Sequence, residues 1–596
     1  MGSRSLMSRV LRSSMGMTIL PSSSIFLTIP VAFMSRPPFP RFSGPQGRVH
    51  TSFILDNKRS FQAYNYRNER KRMSRKFYLF LHRKEKMNKS FYVTTPIYYV
   101  NDMPHIGTAY TTVAADALAR YHRLKGEEVF FLTGTDEHGQ HVARAAERHG
   151  VSPQEWADRM VVHFTEVWKR LNISNDYFIR TTDPKHVEVA RKFIQLLYDK
   201  GDIYLDTYEG WYCVPDESFW LPSQLVDGKC PQCGREVEMV QEENYFFRLS
   251  AYADRLLSHI ESHPEFVQPE IRRNEVISFI KQGLTDQSIS RKTITWGIPL
   301  PFDESQVMYV WFDALLNYIS AIDYGLDEER FRRTWPADVH LIGKEILRFH
   351  AIVWPAMLMA ADLPLPRQVF AHGWLTVEGE KMSKSKGNVI SPHELIDEYG
   401  VDAYRYYFLR EFSFGYDGNF SRENMTGRYN ADLANSLGNM VSRVLAMVER
   451  YRGGTVPEPS DREEEPDVAL RESAARVFPE VDRSMERLAF NEALQAIWNF
   501  LAAINRYVDE TAAWDLAKDP TLSRRLDTVL YNMVEAVRLT ALLVVPFLPA
   551  TGEGIWRRLG FADPIHAHHL PEAAAWGLFP PGQRVSKGEP LFPRKK

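Results

Sequence analysis

The stretch of residues 91–108 limits the possible folds more strongly than any other part of this 596-residue sequence. It begins with Phe-Tyr-Val-Thr-Thr, whose β-branched and aromatic side chains favour a buried strand. We expect Pro96 to end this strand, because proline has no N–H to donate to a neighbouring strand. From His105 onwards the apolar residues recur at helical spacing. A strand, a tight turn and a helix N-terminus present backbone N–H groups to an anion, so the stretch predicts a phosphate site; a purely structural turn is the alternative.

Two residues of this turn and a second stretch are suited to a nucleotide. Gly107 leaves space for a ligand against the backbone, and the His105 imidazole can donate to a phosphate oxygen. Residues 381–388 read Lys-Met-Ser-Lys-Ser-Lys-Gly-Asn. This stretch predicts either a solvated basic loop or a mobile lid that brings ammonium groups onto a triphosphate.

The two stretches together resemble the two signatures of class I aminoacyl-tRNA synthetases. One departure is Thr108, which stands where the first signature usually has histidine; threonine can hydrogen-bond a phosphate but cannot carry charge. Other motifs resemble the bacterial and organellar branch of the methionyl-tRNA synthetase family, from about residue 90 to the C-terminus. These motifs are residues 95–101, 133–139, 208–212, 309–314, 343–345 with 349–350, and 430–435.

The resemblance implies an α/β fold: a Rossmann-like class I synthetase catalytic domain with a small inserted zinc-knuckle domain, followed by an all-α anticodon-binding helix bundle. The helical period after residue 427 supports the bundle. The expected segments are a basic, disordered N-terminal extension (1–88), the first half of the catalytic domain (89–202), the connective insert with the zinc knuckle (203–250), the second catalytic half (251–370), the lysine-rich loop and stem-contact region (371–426), and the anticodon-binding domain (427–596).

The activity that the resemblance implies is that of a methionine–tRNA ligase, which makes methionyl-adenylate from L-methionine and ATP and then charges the 3′ end of tRNA(Met). Magnesium would accompany ATP. The implied catalytic residues are His105, Asp136, Arg291 and Lys384. The implied ATP contacts are His105, Gly107, Thr108, Lys381, Ser383, Lys384 and Ser385. The implied methionine pocket consists of Ile97, Tyr99, Trp311, Ala314, Leu315, Tyr318 and His350.

For several of these positions the residues themselves are also compatible with a purely structural role. Asp136 follows a strand candidate, where an acid could receive a substrate ammonium, but aspartate is also a common turn residue. Trp311, Leu315 and Tyr318 recur at helical spacing, which is equally typical of a core face.

Three further residues are implied to contact the anticodon. Asn439 and Arg443 lie four residues apart and project from one helix face, and Trp514 follows in another helix. An unpaired base can stack on an indole and bond to amide and guanidinium groups. A solvated helix pair and a core tryptophan are the alternatives.

All three cysteines of the chain lie in the insert. Cys213 with Asp216 and Cys230 with Cys233 form two short-spaced pairs that suit tetrahedral zinc. The alternative is a degenerate knuckle that holds no metal. A disulfide is disfavoured by the odd number of cysteines and by a reducing compartment.

The charge of the chain is unevenly distributed. Residues 1–89 hold 18 of the 73 basic and 3 of the 75 acidic residues, so the remainder is net negative. An acidic body does not exclude tRNA, which needs only a local basic surface. The basic start is typical of an organellar presequence or of an overlong gene model, and we expect a cytoplasmic bacterial-type enzyme, with the mitochondrial matrix as the alternative.

Two other functional classes have to be weighed. One is an adenylate-forming enzyme or nucleotidyltransferase of the same superfamily that never binds tRNA, and the other is a catalytically inactive tRNA-binding relative. The expected bundle and insert disfavour the first, and intact His105, Asp136, Arg291 and Lys384 disfavour the second. No dimerising module is expected after the bundle, so we expect a monomer without a membrane partner.

Overall fold

The computed structural model describes residues 90–215, 218–220, 222–382, 387–460 and 462–595. The predictions for the extension 1–88, for Asp216 and for Ser383, Lys384 and Ser385 concern residues outside this described part. No helix in the described part combines the length and the hydrophobicity that a bilayer-spanning segment needs.

The described strands form four sheets. They are β1 (Ser90–Tyr99), β2 (Glu128–Asp136), β3 (Tyr177–Arg180), β4 (Ile203–Cys213), β5 (Ser218–Trp220), β6 (Glu238–Phe247), β7 (Val267–Gln268), β8 (Gln287–Ser288), β9 (Ser290–Arg291), β10 (Pro299–Leu300), β11 (Asp303–Met308), β12 (Val339–Gly343), β13 (Val369–His372), β14 (Leu375–Val377), β15 (Glu380–Lys381) and β16 (Gly418–Phe420).

The largest sheet is parallel throughout and has the order β3-β2-β1-β12-β13-β7. The chain runs outwards from β1 to β3 on one side and continues from β12 to β13 on the other. The order therefore reverses between β1 and β12, where Val93 pairs with Val339. In open parallel sheets, ligands bind beyond the carboxyl ends of the strands at such a switch point. The predicted Rossmann-like fold is confirmed.

The prediction that Pro96 ends the first strand is wrong. The strand β1 continues to Tyr99, and its register against β2 shifts between Thr94 and Ile97. Pro96 lies at this irregularity, where the ladder does not require an N–H donor. The shift lets the strand carry Ile97 and Tyr99 onwards to the sheet edge.

The α-helices cover both faces of this sheet and then form the C-terminal bundle. They are α1 (Ile106–Leu124), α2 (Gln140–Arg148), α3 (Pro153–Arg170), α4 (Pro184–Asp199), α5 (Ala253–Ser262), α6 (Glu270–Lys281), α7 (Val310–Leu315), α8 (Asn317–Ser320), α9 (Glu328–Thr334), α10 (Trp354–Ala360), α11 (Pro392–Tyr399), α12 (Val401–Glu411), α13 (Arg422–Arg428), α14 (Asn439–Arg452), α15 (Glu465–Glu486), α16 (Phe490–Thr511), α17 (Ala513–Leu516), α18 (Ser523–Val544) and α19 (Pro549–Arg558). Two π-helical segments, Phe349–Val353 and Tyr429–Gly438, precede α10 and α14.

The helix α1 joins the catalytic sheet to the bundle. Its Asp116 forms a fully buried ion pair of 2.7 Å with Arg405 of α12. Arg405 also donates to the carbonyl oxygens of Pro546 and Phe547, in the turn between α18 and α19. A buried charge has to be paired and hydrogen-bonded, so these contacts fix the bundle directly against the helix that follows the predicted phosphate site.

Candidate active site

The residue His105 caps the N-terminus of α1. Its ring Nδ1 accepts from the backbone N–H of Gly107 at 3.1 Å, and its backbone is extended. A Cβ added to Gly107 would lie only 2.9 Å from Cε1 of the His105 ring. Glycine at this position therefore leaves space for the ring to lie against the first turn of the helix. Burial lowers the pKa of His105 below its usual value. Because Nδ1 accepts, the proton of the neutral ring is on Nε2, which can donate to a ligand.

The threonine that departs from the family signature completes a capping box. The Thr108 hydroxyl accepts from the backbone N–H of His105 at 3.0 Å and donates to the carbonyl oxygen of His105 at 2.8 Å. This arrangement satisfies donors that a helix N-terminus otherwise leaves without partners.

A cavity of about 590 Å³ lies at the switch point between β1 and β12. It brings together all but one of the predicted catalytic, methionine-binding and ATP-binding residues that belong to the described part. The predicted residues that line it are Ile97, Tyr99, His105, Gly107, Thr108, Asp136, Trp311, Ala314, Leu315, Tyr318, His350 and Lys381. Its volume suits a small-molecule site that is mostly apolar with a few polar groups.

The exception is Arg291, which is not among the described residues that line the cavity. Its guanidinium lies 4.3 Å from the ring centre of Tyr309 and is buried. One of its nitrogen atoms donates to Ser288 Oγ at 3.0 Å and to the carbonyl oxygen of Ser290 at 2.7 Å. Arg291 thus packs against the ring of Tyr309, and Tyr309 lies two residues before the cavity-lining Trp311 in sequence.

Aromatic rings form one wall of the cavity. Trp311 stacks on Phe349, with ring centres 4.0 Å apart and planes 5° from parallel, and its edge faces Tyr99. The Tyr318 hydroxyl lies 2.7 Å from Nε2 of His350, whose Nδ1 lies 3.0 Å from the carbonyl oxygen of Ile346. Burial lowers the pKa of His350 to about 4, so the imidazole is neutral at physiological pH. A neutral, polarizable wall of this kind suits an uncharged thioether.

A buried carboxylate that sequence reasoning missed ties this wall to the loop after β2. Asp313, 1% exposed, lies 2.6 Å from Nδ1 of His138 and 2.7 Å from Nε2 of His186. Burial alone would raise the pKa of Asp313, but the charge and hydrogen bonds of the two histidines outweigh it and lower the pKa to about 2. Asp313 is one residue from Ala314, and His138 is two residues from Asp136. No local pattern predicts this cluster, because His186 and His138 lie 127 and 175 residues before Asp313 in sequence.

Other lining residues were also not predicted. Among them, His372 ends β13, and its Nε2 lies 2.6 Å from the Thr111 hydroxyl of α1. Trp374, 40% exposed, donates to Glu345 at 2.8 Å. Strand ends that meet only in the folded sheet supply these residues, so their sequence positions carried no signal.

The described start of the lysine-rich stretch approaches α1. The Lys381 ammonium lies 4.6 Å from the ring centre of Trp374, and Met382 reaches within 3.5 Å of the position that a Gly107 Cβ would take. The two signature stretches, far apart in sequence, therefore meet at one end of the cavity.

The three cysteines converge at the end of the second sheet, in which β4 pairs with β5 and β6. The Sγ atoms of Cys213, Cys230 and Cys233 all lie within 4.8 Å of one another, and those of Cys213 and Cys233 are 3.5 Å apart. This separation is too long for a disulfide, whose sulfur atoms are about 2.05 Å apart.

The three predicted anticodon residues lie on the bundle. Asn439 is exposed at the start of α14, and Arg443 donates to Asp509 of α16 at 2.9 Å. Trp514, in the short helix α17, is 39% exposed, whereas the neighbouring Ala513 is fully buried. The indole is therefore not a core anchor.

Comparisons with known proteins agree with this architecture. The family model described as "tRNA synthetases class I (M)" matches residues 91–240 and 234–445. A second, described as "Anticodon-binding domain of tRNA ligase", matches residues 467–586.

Similar proteins include methionine–tRNA ligases from two bacteria. The chain is 55% identical to that of Caldanaerobacter subterraneus subsp. tengcongensis over 85% of this chain and 79% of the relative. It is 50% identical to that of Thermotoga maritima over 84% of this chain and 80% of the relative. Among solved structures, Mycobacterium tuberculosis methionyl-tRNA synthetase in complex with methionyl-adenylate has a TM-score of 0.82 at 45% identity, covering 85% of this chain and all of that chain. The chain belongs to the methionyl-tRNA synthetase family of class I aminoacyl-tRNA synthetases.

Proposed function

We propose that this protein is a methionine–tRNA ligase. In the first step, a carboxylate oxygen of methionine forms a bond to the α-phosphorus of ATP while the bond to the bridging oxygen breaks and pyrophosphate leaves. In the second step, the terminal ribose hydroxyl of tRNA(Met) forms a bond to the methionyl carbonyl carbon, loses its proton, and AMP leaves. The observation that carries the proposal is that one and the same cavity is lined by the capped helix N-terminus and by the wall of Trp311, Tyr318 and His350.

The phosphates of ATP would bind at the N-terminus of α1. There His105, Gly107 and Thr108 line the cavity, and the Nε2 proton of His105 would donate to a phosphate oxygen near the positive end of the helix dipole. Lys381, Ser383, Lys384 and Ser385 would close over the phosphates, and Lys384 would stabilise the charge that develops on the pentacoordinate phosphorus. Magnesium, when bound with ATP, would neutralise part of the charge of the phosphates.

The amino acid would bind between the strand ends and the aromatic wall. Asp136, 3% exposed at the end of β2, would receive the ammonium group. Ile97, Tyr99, Trp311, Ala314, Leu315, Tyr318 and His350 would surround the side chain. Arg291, packed against the ring of Tyr309, would contribute positive potential to the transition state. No protein nucleophile is needed, because positioning and charge stabilisation carry both steps.

The tRNA would be recognised by its anticodon on the bundle. Exposed Asn439, half-buried Arg443 and exposed Trp514 supply an amide, a guanidinium and an indole, which suit unpaired bases. A structure with such a bundle favours a tRNA ligase over an adenylate-forming enzyme that never binds tRNA.

The cysteine cluster fits zinc. With Zn–S bonds of about 2.3 Å, a tetrahedral site holds its sulfur atoms about 3.8 Å apart, close to the 3.5 Å between Cys213 and Cys233. Cys213, Cys230 and Cys233 would hold the ion with Asp216 as the fourth ligand, and the ion would stabilise the insert. Elemental analysis of protein purified without chelator should find about one zinc per chain; well-folded, active protein without zinc would make the knuckle vestigial.

We further propose that the enzyme works as a monomer in the cytoplasm. The cavity and the bundle surface belong to one chain, and the relatives named above are bacterial. Light scattering of the purified protein should give the mass of one chain; a stable dimer would contradict the monomer. Localisation of a tagged full-length chain would separate the cytoplasm from the mitochondrial matrix.

The deciding experiment measures methionine-dependent exchange of pyrophosphate into ATP and charging of tRNA(Met) on the same preparation. Both activities are expected. Exchange without charging would indicate the adenylate-forming alternative, and neither activity in folded protein would indicate an inactive tRNA-binding relative. Leucine, isoleucine and valine in place of methionine serve as controls.

A further inference from the structure

We propose that Thr108 is a positioning residue that acts on ATP only through His105, by fixing the backbone from which the imidazole extends. This inference rests on the proposed function and refines it. It concerns the one position at which this chain departs from the family signature.

The hydrogen-bonding capacity of the Thr108 hydroxyl is the first argument. A phosphate oxygen accepts hydrogen bonds, so a partner of the phosphate has to donate. The hydroxyl has a single O–H, which donates to the carbonyl oxygen of His105 at 2.8 Å. Its oxygen meanwhile accepts from the backbone N–H of His105 at 3.0 Å. The Thr108 hydroxyl therefore both donates to and accepts from the backbone of His105.

The immobility of residue 108 is the second argument. Its carbonyl oxygen accepts from the hydroxyl of Tyr98 at 3.1 Å and from that of Thr112 at 3.1 Å. A β-branched side chain in a helix also has few rotamers available. Thr108 thus forms a fixed point to which the backbone of His105 is attached.

The orientation of the His105 ring follows from these contacts. Thr108 holds the backbone of His105, and the N–H of Gly107 holds ring Nδ1 at 3.1 Å. With both ends fixed, Nε2 has one direction available, and a donor fixed in advance costs no reorganisation when charge develops on a phosphate. The Thr108 hydroxyl thus orients the His105 imidazole, at the position where the family signature usually has a second histidine.

The test is a double-mutant cycle on the full-length enzyme. Thr108→Val removes the hydroxyl and keeps the shape, Thr108→Ser keeps the hydroxyl, and each is combined with His105→Ala. Rates and KM for ATP are measured by methionine-dependent pyrophosphate exchange. Thr108→Ala removes the same hydroxyl with a smaller side chain, so the cycle is read on whichever of the two variants has the higher melting temperature, at a temperature well below its unfolding transition. Thr165→Val, on the exposed face of α3, is the matched control.

The expected result is a fall of about fivefold to tenfold in kcat for Thr108→Val, as for the loss of a helix cap, with KM for ATP nearly unchanged and Thr108→Ser close to wild type. In the His105→Ala background, removal of the hydroxyl should have no further effect. The proposal would be overturned if removal of the hydroxyl lowered kcat by an equal factor with and without His105, or raised KM for ATP at constant kcat. Either result would mean that Thr108 contacts ATP itself. A wild-type enzyme without methionine-dependent exchange would instead refute the proposed function, so the two failures are distinguishable.

Discussion

The catalytic cavity and the bundle surface of Asn439, Arg443 and Trp514 place their functional groups in opposite environments. In the cavity, Tyr318 and His350 are 1% and 2% exposed, and each has a hydrogen-bond partner. On the bundle, Trp514 is 39% exposed, and Arg443 pairs with the exposed Asp509.

This difference determines what a substitution can affect. A buried polar group is worth much to the fold because its partner would otherwise be left unpaired, so cavity substitutions change stability and chemistry together. An exposed side chain contributes little to stability, so a substitution there can change recognition alone. The following predictions test this contrast, from the largest expected effect to the smallest.

Substitution of the loop lysine should give the largest effect. Lys384→Ala is expected to slow adenylate formation by about a hundredfold to a thousandfold, as for other donors that act on developing charge, with little change in methionine affinity. Pre-steady-state formation of methionyl-adenylate measures the rate, and Lys386→Ala in the same loop is the matched control. An unchanged rate of adenylate formation would remove Lys384 from the mechanism.

The buried Asp313 should matter mainly for stability. Asp313→Asn is expected to lower the free energy of unfolding by about 3 kcal/mol, because removing one partner of a buried charge cluster leaves the others uncompensated. Asp563 provides the matched control, since it lies 2.6 Å from His568 but is exposed; Asp563→Asn should leave denaturant unfolding nearly unchanged. Equal losses in the two variants would contradict the role of burial.

The comparison of Asp313→Asn with the wild-type protein also tests how stability depends on pH. The pKa of Asp313 in the folded protein, about 2, lies below that of an unfolded aspartate. The ionised carboxylate therefore stabilises the fold above pH of about 4, and this contribution is lost as the pH falls towards 2. The wild-type protein should lose stability more steeply than Asp313→Asn across this window, as measured by acid titration of circular dichroism.

The exposed indole should affect tRNA alone. Trp514→Ala is expected to reduce kcat/KM for tRNA charging by about tenfold to a hundredfold, since a base–aromatic stack is worth about 1–3 kcal/mol, while pyrophosphate exchange stays near normal. Leu522→Ala removes another exposed apolar side chain of the same bundle and is the control. Equal losses of charging and exchange would identify Trp514 as a packing residue.

The smallest effect is expected at the partner of Arg443. Asp509→Ala should change the free energy of unfolding by less than about 1 kcal/mol, because Asp509 is exposed and Arg443 only half-buried, so that solvent screens the pair. Removal of the carboxylate leaves the guanidinium available for an anionic ligand, so KM for tRNA should fall by about twofold at low salt. A large loss of stability would break the contrast between the two regions.

The sequence alone determined the local chemistry of the site. Adjacent residues supplied the strand and helix that begin at Ser90 and Ile106, and two short-spaced pairs predicted a cluster whose three cysteines the fold brings within 4.8 Å of one another. These features depend on backbone propensity and on side chains a few residues apart, which a single sequence displays directly.

Only the tertiary structure decided which distant groups meet. It continued β1 past Pro96, joined Asp313 to His138 and His186, paired Asp116 with Arg405, and left Trp514 exposed. Each outcome depends on packing between elements many residues apart in sequence, and hydrogen-bond partners for buried groups are chosen by that packing. Thr108 lies on the local side of this division, because its hydroxyl bonds to the backbone of His105 only three residues away.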